Sequence, residues 1–182
     1  IVINARKIVY RFCSGLSFLL FIILICAMIF NRGERMLNKY NWAILGCGNI
    51  ANDFARDIIR MGGEIYSVAN RTYEKAVGFA EKYNIEKVYE KVDDLFIDEN
   101  VDIVYIATPH NKHIEYILKA LENNKHVLCE KAITINSQEL NKAVDLANKK
   151  NLILAEAMTI YNMPLYTELE KLINSGKLGE FR

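Results

Sequence analysis

The run Ala43-Ile44-Leu45-Gly46-Cys47-Gly48-Asn49-Ile50-Ala51 constrains the fold more than any other part of the chain. A short apolar segment breaks into Gly-x-Gly-x-x-Ala and then into a helical pattern, which reads as a strand, a tight turn and a helix start. Gly46 frees the backbone for the turn, Gly48 lets main chain approach a pyrophosphate with no Cβ between them, and Ala51 lets the helix pack against its strand. The helix then offers unpaired N–H groups and the positive end of its dipole to the phosphates. Cys47, Asn49 and Ile50 fill the remaining positions of the loop. Glycine-rich turns are common, so the assignment depends on the rest of the chain.

From residue 41 onward, strand and helix patterns alternate with short links. Strands are expected at 65–69, 87–89, 101–107, 126–129 and 152–155. The first helix carries Ala51, Phe54, Ala55 and Ile58 on one face and stops at Gly62-Gly63. Tyr73 to Tyr83 forms the next, with Thr72 as N-cap. Ile114, Ile117, Leu118 and Leu121 mark a third, and Asn136-Ser137-Gln138-Glu139 is a capping box opening a fourth along Leu140, Ala143, Val144 and Ala147. Pro164 opens the last, with Leu165, Leu169, Leu172 and Ile173 inward and Gly176 as its stop. This alternation predicts an α/β fold, a Rossmann-type doubly wound parallel sheet of order 3-2-1-4-5-6, whose ligand crevice lies at the C-terminal strand ends.

The chain has 182 residues, with 23 Lys+Arg against 22 Asp+Glu. Balanced charge gives no general attraction to nucleic acid, so the expected partner is a small molecule. Cys13, Cys26, Cys47 and Cys129 lie too far apart for zinc spacing and read as buried free thiols of a reducing compartment. His110, His113 and His126 have no acidic or thiol ligand spacing around them, so no metal site is expected.

Each unusual motif falls at a strand end. Asn70-Arg71-Thr72 follows the second strand, about twenty residues past the glycine turn, where an acid would bind the ribose hydroxyls of NAD. No acid stands there, and an arginine flanked by Asn and Thr suits an anionic 2′-phosphate, so NADP is favoured over NAD. An ordinary solvated arginine is the plainer alternative. Thr108-Pro109-His110-Asn111-Lys112-His113 follows the fourth strand and is placed to wall the nicotinamide or ribose side; for His113 the plainer role is helix N-terminal packing. Cys129-Glu130-Lys131-Ala132 follows the fifth, and a lysine leaving a buried strand beside a glutamate is suited to orienting a substrate hydroxyl, with a structural ion pair as the alternative.

Residues 1–35 differ sharply from the rest. Phe12 to Phe30 is almost wholly apolar and long enough to cross a bilayer. A cleaved signal peptide is disfavoured because no small-x-small site follows. Two readings remain: a membrane anchor at 12–30 with the domain on the cytoplasmic side, or an extension upstream of a cytoplasmic protein starting at Met36.

Gly46-Cys47-Gly48-Asn49-Ile50-Ala51, Ala107-Thr108-Pro109-His110-Asn111-Lys112-His113, Glu130-Lys131 and Glu156-Ala157-Met158 together resemble the Gfo/Idh/MocA oxidoreductases, in order and spacing, over about residues 41–182. Within that family the resemblance is strongest to the branch of dihydrodiol dehydrogenase and NADP-dependent xylose dehydrogenase. It implies hydride transfer between a nicotinamide and a CH–OH carbon of a sugar, polyol or diol. It also implies that Lys131 is the catalytic or substrate-polarising residue, and that Gly46 to Ile50, Asn70, Arg71, Thr108, Pro109, His113, Glu130 and Lys131 contact the cofactor. The family's Glu-Lys-Pro is Glu130-Lys131-Ala132 here, and since cis is far less accessible to X–Ala than to X–Pro, the placement of Lys131 is left open. The resemblance further implies a dinucleotide-binding domain at 41–157 and, from 158 to 182, only the start of an α+β domain that selects substrate and forms the homo-oligomer. On this reading residues 1–182 alone have no turnover. The alternative is a non-catalytic dinucleotide-binding module, tethered to a membrane if residues 12–30 are an anchor.

Overall fold

A computed structural model describes residues 40–158 and 164–179. Thirteen segments alternate along it: β1 (Trp42–Leu45), α1 (Asn49–Arg60), β2 (Ile65–Ala69), α2 (Tyr73–Tyr83), β3 (Lys87–Tyr89), α3 (Val92–Ile97), β4 (Ile103–Ile106), a 3₁₀ turn (His110–Lys112) leading into α4 (His113–Glu122), β5 (His126–Cys129), α5 (Ser137–Lys150), β6 (Leu154–Glu156) and α6 (Pro164–Asn174). The six strands form one sheet in the order β3-β2-β1-β4-β5-β6, all neighbours parallel. This is the doubly wound sheet expected from the alternation.

Strand period explains the two layers. Trp42 and Ile44 face one side of β1 and Ala43 and Leu45 the other, so both faces demand cover. On the first side Ala51, Phe54, Ala55 and Ile58 of α1 and Ala76, Phe79 and Ala80 of α2 pack with Trp42, Ile44 and Tyr105. On the second, Leu95 and Phe96 of α3, Ile117, Ala120 and Leu121 of α4, and Ala143 and Ala147 of α5 pack with Leu45, Val104, Ile106 and Val127. Phe54 stacks on Tyr105 with centroids 3.8 Å apart and tilts against Trp42 at 5.6 Å, which pins α1 over the middle of the sheet.

Where boundaries differ from the periodic pattern, competing bonds account for it. β4 begins at Ile103, since Val101 N–H donates to Asp98 O and the Asp102 carboxylate accepts Asn41 N–H at 2.8 Å. β6 begins at Leu154 because Leu152 N–H closes α5 on Ala147 O and Ile153 N–H donates to His126 Nδ1 at 3.0 Å. α1 ends at Arg60 through Gly62 and Gly63, whose N–H groups return to Ile59 O and Ile58 O. Thr72 holds the N-cap position of α2 without a side-chain bond, whereas Asn136 Oδ1 accepts Glu139 N–H at 2.8 Å as a capping box requires. The return arm of that box goes to Ile135 N–H rather than to Asn136. α3 escaped the sequence pattern altogether, being six residues long and too short to show a helical period.

One expectation is corrected. Leu165, Leu169, Leu172 and Ile173 of α6 share a face as expected, but they are exposed rather than inward, Leu165 at 78%. Helical spacing marks which residues share a face, and burial needs an opposing surface, which no described element supplies here. No described helix is long and apolar enough to cross a membrane. Residues 12–30, Met36, Cys13 and Cys26 lie outside the described residues.

Two polar anchors make the fold acid-sensitive. Burial lowers the pKa of His126 from its ordinary 6.5, and the neutral ring accepts the Ile153 N–H. The unfolded chain therefore takes up the proton first, so this contribution is present above pH 6.5 and is lost as pH falls toward the folded value. Burial alone would raise the carboxyl of Asp98, but hydrogen bonds from Lys87, Tyr89 and Asn100 outweigh it and hold Asp98 well below the usual carboxylate range. Its contribution is lost only below the ordinary 3.8. The thermal midpoint is expected to fall between about pH 7 and about pH 5, and His126→Gln to flatten that part of the profile while leaving the drop below about pH 4 intact. A variant profile parallel to wild type throughout would rule out His126 as the source.

Candidate dinucleotide site

The sheet register lines up the crevice. Tyr89, Ala69, Leu45, Ile106, Cys129 and Glu156, the last residues of the six strands, are paired in a single row. Backbone bonds continue one residue further: Gly46 N–H to Ala69 O, Ala107 N–H to Leu45 O, Glu130 N–H to Ile106 O and Ala157 N–H to Cys129 O. The glycine turn, Asn70-Arg71, the Thr108-Pro109 turn and Glu130-Lys131 consequently leave the same edge of the sheet. β1 and β4 are adjacent, and the chain runs outward from them in opposite directions, which makes their C-terminal ends the switch point where such sheets bind ligands.

At that point Gly46 is buried with φ +105°, and a Cβ there would lie 2.4 Å from Ala107 O. Gly48 is exposed, with open space where its Cβ would be. It is the N-cap of α1, and neither a capping side chain nor an acidic residue occupies the helix start. The first-turn N–H groups thus remain available to an anion. Asn49 and Ile50 are exposed beside them. Asn52 braces the turn from within α1, donating Nδ2–H to Gly48 O at 2.9 Å while its Oδ1 accepts Lys82 Nζ–H and Tyr83 O–H. Cys47 is half-buried rather than buried; burial pushes its thiol up to about 11, against the opposing charge of Lys75. The thiol therefore stays neutral where phosphate would sit.

Asn70 Nδ2–H donates to Thr72 O at 2.9 Å and closes the turn after β2. Arg71 is exposed and makes no ion pair with a described residue. Lys75, also exposed and electrostatically felt at Cys47, adds a second cation to this rim. The sequence reading missed Lys75; its signal was a basic residue in the first turn of the helix that follows the β2 end.

Across the switch point, the Oγ1 of Thr108 is buried with no hydrogen-bond partner, and Pro109 is exposed. Glu130 is buried, accepting Tyr105 O–H at 2.7 Å on Oε1 and its neighbour's N–H at 3.3 Å on Oε2, so it does not form an ion pair with Lys131. Burial, then the adjacent Glu130 carboxylate, drives Tyr105 far above the ordinary phenol range, so it remains a hydrogen-bond donor. Lys131 is exposed, and its peptide bond to Ala132 is cis. Ile133 N–H, just beyond, donates to Glu156 Oε1 at 2.9 Å. His113 is fully buried, with Nε2 2.8 Å from Thr108 O and Nδ1 2.8 Å from Ala132 O. Tyr161 and Asn162, which follow β6 in the sequence, lie outside the described residues.

A Cβ-free cradle at Gly46, an uncapped helix start without acids, and the orphaned Thr108 hydroxyl across the switch point fit a dinucleotide. Fold and crevice together define a dinucleotide-binding Rossmann domain. Residues 40–158 match the model of the oxidoreductase family with NAD-binding Rossmann fold, Gfo/Idh/MocA, and the chain belongs to that family. It is 33% identical over 144 residues to trans-1,2-dihydrobenzene-1,2-diol dehydrogenase of Xenopus laevis, covering 78% of this chain and 44% of that one. It is 36% identical over 151 residues to D-xylose 1-dehydrogenase (NADP⁺) of Hypocrea jecorina, covering 76% and 39%. The structure of KijD10, a 3-ketoreductase from Actinomadura kijaniata in complex with TDP-benzene and NADP, matches with a TM-score of 0.72 at 28% identity, covering 79% of this chain and 46% of that one. The chain thus spans less than half the length of these relatives.

Proposed function

We propose that this chain is the nucleotide-binding part of an NADP-preferring oxidoreductase that acts on a CH–OH group of a sugar, polyol or diol. Residues 41–157 form its dinucleotide domain and residues 158–182 open a second, substrate-binding α+β domain. The observation that carries the reading is the shared sheet edge: a phosphate cradle at Gly46 to Ile50, Asn70-Arg71 with no acid directly at the end of β2, and exposed Lys131 at the end of β5.

When bound, the nicotinamide supplies the hydride chemistry. Gly46 to Ile50 and the α1 start hold the pyrophosphate, and Arg71 with Asn70 takes the 2′-phosphate. Thr108 and Pro109 line the opposite wall, where the unpaired Thr108 hydroxyl gains a partner. Glu130, buried against Tyr105, fixes the turn from which Lys131 reaches the carbinol oxygen and orients it. The relatives whose names include a trans-diol and D-xylose support a substrate with a carbinol carbon. NADP in the name of one and in the complex of another supports the cofactor preference.

Titrating the full chain with NADPH and NADH while following its thermal midpoint tests this reading. NADPH is expected to stabilise it by about 2.7 kcal/mol at a hundredfold excess over its Kd, and NADH at the same concentration by less. Equal affinities would overturn the NADP assignment, and binding of neither would remove the oxidoreductase reading.

A further inference from the structure

Asn52 lies one turn into α1, and its half-buried amide is bonded at both ends. Nδ2–H donates to Gly48 O at 2.9 Å, while Oδ1 accepts Lys82 Nζ–H at 2.7 Å and Tyr83 O–H at 2.8 Å. These partners fix which way the amide lies. A carbonyl only accepts and an ammonium only donates, so turning the amide over would set donor against donor at Lys82 and acceptor against acceptor at Gly48. Gly48 O also accepts Asn52 N–H at 3.1 Å, so a single residue grips that carbonyl twice. The Gly48–Asn49 peptide is trans and planar, and its N–H points opposite to its C=O. With the carbonyl drawn down the helix, Asn49 N–H is turned outward, to where a pyrophosphate would lie. Gly48 has no side chain and open space around it, so its own residue type does not hold this orientation.

Asn52 is held in turn from α2. Lys82 and Tyr83 close that helix, 30 and 31 residues along the chain from Asn52. Tyr83 is half-buried, with its ring 4.7 Å from that of Phe79, which belongs to the buried layer and ties this brace to the core. The other end of α2 follows directly on Asn70-Arg71-Thr72. One helix therefore bears the rim at the end of β2 on its first turn and the brace of the glycine turn on its last. For helix formation alone alanine would serve better than asparagine at this place.

We propose that Asn52 is a positioning residue for the pyrophosphate. Locked by Lys82 and Tyr83, it orients the Gly48–Asn49 peptide so that Asn49 N–H donates to a phosphate oxygen, and it sets dinucleotide affinity without itself touching the ligand. The inference rests on the crevice being a dinucleotide site. It concerns the part that NADPH and NADH share, so Asn52 raises both affinities equally and leaves the choice between them to the β2 rim.

Calorimetric titration of the full chain with NADPH and NADH, alongside adenosine 2′-monophosphate followed by NMR, tests the proposal. Asn52→Ala is expected to weaken both dinucleotides by about tenfold and by the same factor. Adenosine 2′-monophosphate, which has no pyrophosphate, should bind that variant as it binds wild type. Tyr83→Phe removes one hydroxyl from the brace and should weaken both dinucleotides by about threefold. Added to Asn52→Ala it should cost nothing further, because it acts through the same amide. Wild-type dinucleotide affinity in Asn52→Ala overturns the proposal, as does an equal loss for adenosine 2′-monophosphate, which marks general damage. Additive losses in the double variant overturn it too. If Asn52→Ala does not fold, Tyr83→Phe decides with the same three ligands. If the wild type binds neither NADPH nor NADH, the functional reading fails; if it binds both and the variants bind them as tightly, this inference alone fails.

Discussion

Gly46→Ala is expected to lower stability by about 4 kcal/mol and to eliminate measurable dinucleotide binding. Two independent strains meet at this residue. Its φ of +105° lies where L side chains are rarely found, and the new Cβ would sit 2.4 Å from Ala107 O, a backbone atom fixed by the bond from Ala107 N–H to Leu45 O. A flexible side chain could turn away, but main chain laced into the sheet cannot. Gly48→Ala separates folding from binding. At Gly48 φ is −77° and nothing lies within 4 Å of the added Cβ, so the variant should keep its unfolding midpoint. That Cβ nevertheless enters the space through which the pyrophosphate would approach the helix, so affinity should drop by about tenfold or more. Urea unfolding and NADPH titration of both variants provide the readings. A Gly46→Ala chain with wild-type stability would show that the β1 turn is not clamped against β4.

The sheet was legible because its signals are local and redundant. Apolar strands between turn residues identify themselves, and right-handed crossovers leave few strand orders once the glycine turn marks β1. The site was legible as positions: Gly46, Asn70, Thr108 and Glu130 each follow the last residue of an apolar run by no more than two places, so a parallel sheet must bring them to one edge. What they bond to was not legible. The Tyr105–Glu130 bond joins residues 25 apart and the Ile133–Glu156 bond residues 23 apart. Neither pair has a spacing that a helical or strand period would reveal. His113 shows the same limit more sharply: sequence places it at a helix start beside the crevice, and only three-dimensional packing joins its ring to two separate turns. The exposed face of α6 failed for the opposite reason, since amphipathic spacing is visible in sequence and the surface that would cover it is not.

The crevice therefore has two tiers. Residues that would meet the ligand, Gly48, Ile50, Arg71, Pro109 and Lys131, are exposed. Those that set their geometry, Tyr105, His113 and Glu130, are buried and bonded to one another's backbone turns or side chains. Substituting the outer tier should alter affinity with little change in stability, while substitution of the inner tier should alter both.

Arg71→Ala is expected to weaken NADPH binding by about tenfold while leaving NADH within about twofold. A hydrogen bond to a charged group contributes about 1.5–3 kcal/mol, and the exposure of Arg71 puts the effect at the lower end through solvent screening. The residual preference should come from Lys75, whose charge already reaches the glycine turn. Because the contact is ionic and exposed, the NADPH advantage should shrink as salt rises, in wild type more than in the variant. Asn70→Asp provides the converse. It places a carboxylate at the end of β2, repels a 2′-phosphate and accepts from ribose hydroxyls, so NADH should become the tighter ligand. Calorimetric titration of the three chains with both cofactors resolves these effects. If Arg71→Ala weakens NADPH and NADH equally, the arginine serves the shared adenosine or pyrophosphate, and the 2′-phosphate is read elsewhere on the rim.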